Sequence, residues 1–159
     1  MHESMEPRTT SFHGKKDKLK KRVLGFDYGL KRIGTAAGNS VTGTCQGLMT
    51  VSVRDGQPDW PAVTRLIEEW KPGQLVVGLP LSMNGDETEM SRSAREFGAV
   101  LAAKSGLGVC FVDERLTSVT ADHLLQESGR PGKKHRRRHQ AARDNLAAEL
   151  ILQTYFDDN

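Results

Sequence analysis

Several things are scarce in this sequence, and each scarcity excludes a class of protein. Two cysteines in 159 residues, Cys45 and Cys110, exclude a disulfide scaffold and leave no C-x-x-C pair for zinc. No apolar run approaches the ~18–20 residues that span a bilayer. The polar N-terminus carries no hydrophobic signal region, so a cytoplasmic protein with no membrane partner is expected. Aromatic residues make up only 6% of the chain, thin material for base-stacking platforms, and Trp60, Trp70 and Phe97 read as core. The P-loop pattern G-x-x-x-x-G-K-S/T does not occur, which removes ordinary NTPase chemistry. His135 and His139 stand four apart, but Arg136 occupies the position where a zinc-protease helix needs Glu.

What the chain does have is charge, unevenly spread. The formal net charge is +3, yet residues 1–22 carry a net +4 and residues 130–139 (RPGKKHRRRH) a net +6, leaving −7 for everything else. Six like charges in ten residues repel one another and call for compensation by a polyanion. The basic loop, with Lys133, Lys134, Arg136, Arg137 and Arg138, therefore points to nucleic acid. Residues 1–21 have no periodic apolar pattern and read as a disordered basic leader, with one domain over 22–159.

Periodicity then sets the elements. Residues 23–28, 32–37 and 44–53 read as three closely spaced strands, an antiparallel meander. Asp59 is a plausible N-cap for a helix with Val63, Leu66, Ile67 and Trp70 on one face, stopped by Pro72 and Gly73. Residues 74–79 read as a central strand. A second helix follows, with Met90, Ala94, Phe97 and Leu101 as its apolar face, ending before Gly106. Residues 108–114 are another strand, and helices are expected over 118–126 and 140–155. Three antiparallel strands followed by α-β units make an α/β fold with a mixed five-stranded sheet flanked by helices.

Three acids on different elements carry the chemistry. Alternation along the first strand puts Val23, Gly25 and Asp27 on one face, and an acid in an apolar strand must be paired, protonated or metal-bound. Gly25 and Gly29 read as bulk removed to admit a ligand, with a tight turn as the alternative. Glu114 ends the last strand, where functional groups concentrate in sheets with helical crossovers. Alternation sends Asp113 to the other face, and an ion pair of Arg115 with either acid is an equal alternative for that stretch. Asp144 leads the stripe Ala147, Ala148, Ile151 and Tyr155, which must pack on the sheet. Three carboxylates aimed at one sheet edge suit one or two Mg²⁺ or Mn²⁺ ions, which can activate water and stabilise the leaving oxygen in phosphodiester cleavage. Lys31, Arg32 and Arg115 stand beside them as phosphate contacts, with Arg32 and Arg115 equally readable as structural ion-pair partners. Ser82, Asn84 and Asp86 read as substrate contacts or as an ordinary polar turn.

Four ordered motifs also resemble one family. The segments GFDYGLKRIG at 25–34, VGLPLSMNG at 77–85 and DERLTS at 113–118 are similar to motifs of the YqgF/RuvX family. So is Asp144 followed by Ala147, Ala148, Ile151, Leu152 and Gln153, and together the resemblance spans about 22–156. It implies an RNase H-like fold, nuclease action on the 5′ end of the small-subunit rRNA precursor, and Asp27, Glu114 and Asp144 as catalytic, metal-binding acids. It also implies similarity to Holliday-junction resolvases of the RuvC type, so branched DNA is the alternative substrate. A non-catalytic RNA-binding assembly factor is a further alternative. A monomer or weak homodimer is expected.

Overall fold

A computed structural model describes residues 21–115 and 133–158, the side chains of 133–144 excepted. The chain runs β1 (Arg22–Asp27), β2 (Arg32–Asn39), β3 (Thr44–Gly47), β4 (Val51–Arg54), β5 (Gln57–Pro58), α1 (Trp60–Trp70), β6 (Gln74–Leu79), α2 (Glu89–Ser105), β7 (Val109–Asp113) and α3 (Lys133–Asp158). The leader up to residue 20 and the helix expected over 118–126 lie outside the described residues.

The sheet order is β5-β4-β2-β1-β6-β7, with β3 also paired to β2. β1 and β2 are antiparallel, whereas β6 is parallel to β1 and β7 parallel to β6. This is the expected meander followed by crossover units. The third expected strand, 44–53, is broken in two. β3 pairs with residues Ala36 to Asn39 of β2, and β4 pairs with Arg32 and Ile33 at its other end. Between them the Leu48 N–H donates to the Thr35 carbonyl at 2.8 Å, and the Thr35 hydroxyl donates to the Met49 carbonyl. The buried Thr35 thus uses its side chain as a third bonding group and holds a bulge that period-two reading does not register. With the two-residue β5, this makes seven strands among the described residues against the five expected.

Helix ends follow local chemistry. The Asp59 carboxylate accepts from the Ala62 N–H at 3.2 Å and opens α1, which closes on Lys71 in the left-handed region (φ 46°) before Pro72. Thr88 and Ser91 form a reciprocal capping box at the start of α2, and Gly106 (φ 72°) ends it. α3 starts at Lys133 rather than near 140, so residues 133–139 are helical and not a loop. Lys and Arg are good helix formers, and no Gly or Pro interrupts 133–158.

Each sheet face has its own core. Leu24, Phe26, Leu75, Val77 and Leu79 pack under α1 and α2, where the Phe97 ring meets Phe26, Tyr28 and Trp60. Val23, Ala36, Val76 and Val112 pack under Ala148, Ile151 and Leu152 of α3. The stripe read from the sequence therefore docks where expected. It docks closely because glycines clear its path: a Cβ on Gly25 would lie 2.8 Å from Leu152 Cγ, and one on Gly47 2.8 Å from Asn145 Cβ.

Candidate functional site

The parallel strands β1, β6 and β7 end on the same side of the molecule, where helical crossovers leave strand termini open. Asp27 is the last residue of β1 and shares its face with Val23 and Gly25, the face covered by α3. Glu114 follows β7 immediately, as the chain turns helical. Its carboxyl reaches back over β6 to lie against Gly78, where a Cβ would come within 2.8 Å of Glu114 Cδ and 2.5 Å of Ile151 Cδ1. Gly78 is what allows an acid from one strand to reach the acid two strands away.

There Glu114 hydrogen-bonds Asp27. Burial, that bond and the negative charge of Asp27 push the Glu114 carboxyl up to about 10. Burial and the neighbouring charge thus favour retention of one proton between the two carboxyl groups at neutral pH. Two carboxyl groups this close cannot both ionise without a cation.

Asp144 is reached through the backbone of α3. Phe156 lies over Gly38, the register partner of Val23, and Leu152 and the Ala148 carbonyl lie over Gly25. The helix therefore runs antiparallel to β1. Four helical residues advance ~6 Å and two strand residues ~6.6 Å, so the turn before Ala148 brings residue 144 to the Asp27 end. Beyond it, the basic residues Lys133, Lys134, Arg136, Arg137 and Arg138 continue the helix ~15 Å past that end of the sheet. Their side chains, like that of Asp144, are outside the described residues.

The fit to a divalent metal is tested by the donors. Among the described residues no group of three His, Cys, Asp or Glu comes together. Two hard carboxylates do, in a setting where one keeps a proton that a cation can replace, and the α3 backbone brings a third acid to the same end. That donor chemistry fits Mg²⁺ or Mn²⁺.

The flanking residues divide. Lys31 and Arg32 are exposed in and after the β1–β2 turn, with Arg32 paired across to Ser52. Arg115 is engaged within the protein. Its Nε donates to Asp113 Oδ2 at 2.8 Å, its Nη2 to the same oxygen, and its Nη1 to the Met83 carbonyl at 3.2 Å. The guanidinium holds the Asp113 carboxyl below its ordinary range. This is the ion-pair reading of Arg115, and Asp113 and Glu114 do diverge as alternation requires. Ser82 bonds to the Asp86 backbone across a turn, through its own N–H and its hydroxyl, which is the polar-turn reading of that loop.

Two features escaped the sequence reading. Gly25 seats a helix rather than a ligand, since Leu152 fills the space there, while Gly29 serves the tight turn of the alternative reading, a Cβ on it lying 2.6 Å from the Arg32 carbonyl. The glycine that does serve the site is Gly78, and its signal was present as a lone Gly inside a buried strand. Arg115 tying down the 80–86 loop had no local signal, because its acceptor is a backbone carbonyl 32 positions away.

A family model described as RuvX, Holliday junction resolvase, matches residues 21–158. Curated proteins named "Putative pre-16S rRNA nuclease" align over most of both chains. That of Chromohalobacter salexigens is 42% identical over 137 residues, covering 86% of this chain and 90% of its own. That of Shewanella oneidensis is 42% identical over 139 residues, covering 87% and 96%. Among solved structures, the yeast mitochondrial Holliday junction resolvase Ydc2 superposes with a TM-score of 0.50 at 12% identity, covering 86% of this chain and 78% of that one. The fowlpox virus resolvase, in complex with Holliday junction DNA, does so with 0.50 at 15% identity, covering 86% and 97%. At such identities these two similarities speak for the fold alone, which is RNase H-like.

Proposed function

The chain belongs to the RuvX family, and from that premise we propose that it is a divalent-metal-dependent nuclease that processes the 5′ end of pre-16S rRNA in the cytoplasm, as a monomer or weak homodimer. The observation that carries the reading is the meeting of Asp27 and Glu114 over Gly78 at the open end of the parallel strands. Relatives at about 42% identity over most of the chain bear the rRNA name. No described helix is long and apolar enough to cross a membrane.

Asp27, Glu114 and Asp144 would hold one or two Mg²⁺ or Mn²⁺ ions. When bound, such an ion supplies Lewis-acid chemistry, lowering the pKa of water and offsetting charge on the phosphate. The protein's own groups do the rest. Glu114 would give up its proton to hold such an ion, and Asp27 would present the second carboxylate from the end of a buried strand. Because both acids are anchored in packed elements, little reorganisation is needed when charge develops on the phosphate. Lys31 and Arg32 at the β1–β2 turn, and the cationic start of α3, would hold RNA through its backbone charges, without reading sequence.

The test is a cleavage assay with Mg²⁺ or Mn²⁺ on a 5′-extended small-subunit rRNA precursor and on a four-way DNA junction, wild type beside Asp27→Asn. Cutting of the RNA by wild type alone is the expected result. Selective cutting of the junction would make the protein a resolvase, in line with the description of its family model. Binding without cutting under either metal would make it an assembly factor.

A further inference from the structure

Met83 is 90% exposed, the most exposed large apolar side chain among the described residues. A lone apolar residue on a surface is ordinary. What sets Met83 apart is how its backbone is held and where. It sits in the loop after β6, at the end of the sheet that carries Asp27 and Glu114. Within the loop the Ser82 N–H donates to the Asp86 carbonyl at 3.0 Å and the Asp86 N–H to Ser82 Oγ at 3.1 Å. The Gly85 N–H donates to the Ser82 carbonyl at 2.8 Å, with Gly85 at φ +89°. Arg115, the residue after Glu114, then binds the Met83 carbonyl. A tightly bonded turn thus presents at its tip a side chain that packs on almost nothing, and the fastener is tied in sequence to a site acid. Leu30, 66% exposed in the β1–β2 turn, stands at the same end.

We propose that Met83 is a wedge that lays its thioether against the face of a base beside the scissile phosphate, unstacking it so that the backbone can bend toward the carboxylate pair. The inference rests on the nuclease reading above and deepens it: the substrate it names is RNA that is paired or stacked near the cut. Apolar side chains of this kind do insert between base steps and partly unstack them. Met suits the role because its thioether is polarizable and adapts to any base face. A loop already fixed loses little freedom on binding. Arg115 acts as a positioning residue for the wedge.

The experiment uses the full chain with Mg²⁺ on a 5′-extended precursor RNA, annealed to a complementary strand across the cut and, separately, unpaired. Met83→Ala is expected to lower kcat/KM on the paired RNA ~10-fold and on the unpaired RNA less than ~3-fold, with Met83→Leu near wild type. A 2-aminopurine beside the mapped cut should brighten on binding Asp27→Asn protein but not the Asp27→Asn, Met83→Ala double variant. Thermal unfolding of Met83→Ala should match wild type, since the side chain is exposed. No loss, or an equal loss on both RNAs, overturns the wedge and leaves the nuclease reading standing. Failure of wild type to cut either RNA overturns the nuclease reading and the wedge with it.

Discussion

Gly78 in β6 lies directly under the Glu114 carboxyl, so that the site depends on the one residue in that strand with no side chain. The neighbouring Ile151 of α3 presses on the same spot, at 2.5 Å from where a Cβ would stand. Space for the acid pair and space for helix docking are therefore one and the same volume. Gly78→Ala should cost stability by about 1–3 kcal/mol through overpacking and abolish most cleavage by displacing Glu114. Gly108→Ala is the control, because its Cβ would meet only Gln74 at an ordinary 3.7 Å. Urea unfolding and cleavage rates on both variants check the contrast; equal effects would remove Gly78 from the site.

The shared proton makes the metal-free protein sensitive to pH. Glu114 binds its proton up to about 10 in the folded state, far above the ordinary value it regains on unfolding. The folded state then binds more protons than the unfolded one between those values. Its contribution to stability is complete below pH ~4 and is lost as pH rises toward 10. Urea midpoints in chelator should fall from about pH 5 to about pH 9, and Glu114→Gln should flatten that slope. A wild-type slope unchanged by Glu114→Gln would disprove the shared proton.

On the proposed reading a divalent ion would compete for the same oxygens. Mn²⁺ should therefore raise the melting temperature more at about pH 8 than at about pH 6, because at the lower pH the ion must displace a more firmly held proton. Asp27→Asn should abolish the shift and the cleavage while leaving the fold intact. Circular dichroism and thermal scans with and without Mn²⁺ decide it, and a full Mn²⁺ shift in Asp27→Asn would place the metal elsewhere.

Removal of the Arg115 fork should loosen the loop it fastens. Arg115→Ala frees the Met83 carbonyl and unpairs Asp113, so the amides of Gly85 and Asp86 should exchange with solvent faster while those of β6 stay protected. Arg115→Lys should not restore protection, since a single ammonium cannot serve Asp113 bidentately and Met83 together. Hydrogen exchange read by NMR resolves the two regions.

Neutralising Lys133, Lys134, Arg136, Arg137 and Arg138 to Gln should weaken RNA binding in proportion to the charges removed. The slope of log affinity against log salt should drop by about one for each phosphate deprived of its cation, while kcat at saturating RNA stays close to wild type. Titration at several salt concentrations gives the slope, and an unchanged slope would take this stretch off the RNA.

The sequence alone determined what depends on near neighbours and on period. Alternation in β1 assigned Asp27 to the face of Val23 and Gly25. The 3-4-7 spacing in the last helix put Ala148 and Ile151 on its buried stripe, and Asp59 capped α1 as its type predicts. Four motifs in order pointed to the family. What only the tertiary structure decided are relations between distant elements. Whether a glycine admits a ligand or a helix depends on what packs over it, and Gly25 proved to be a helix seat while Gly78 serves the acid. The broken third strand rests on Thr35 bonding across to Met49, and the place of Arg115 rests on a carbonyl in another loop. Above all, the proton held between Asp27 and Glu114 exists because burial and a second charge arrive together, and neither residue carries that information in its own stretch of chain.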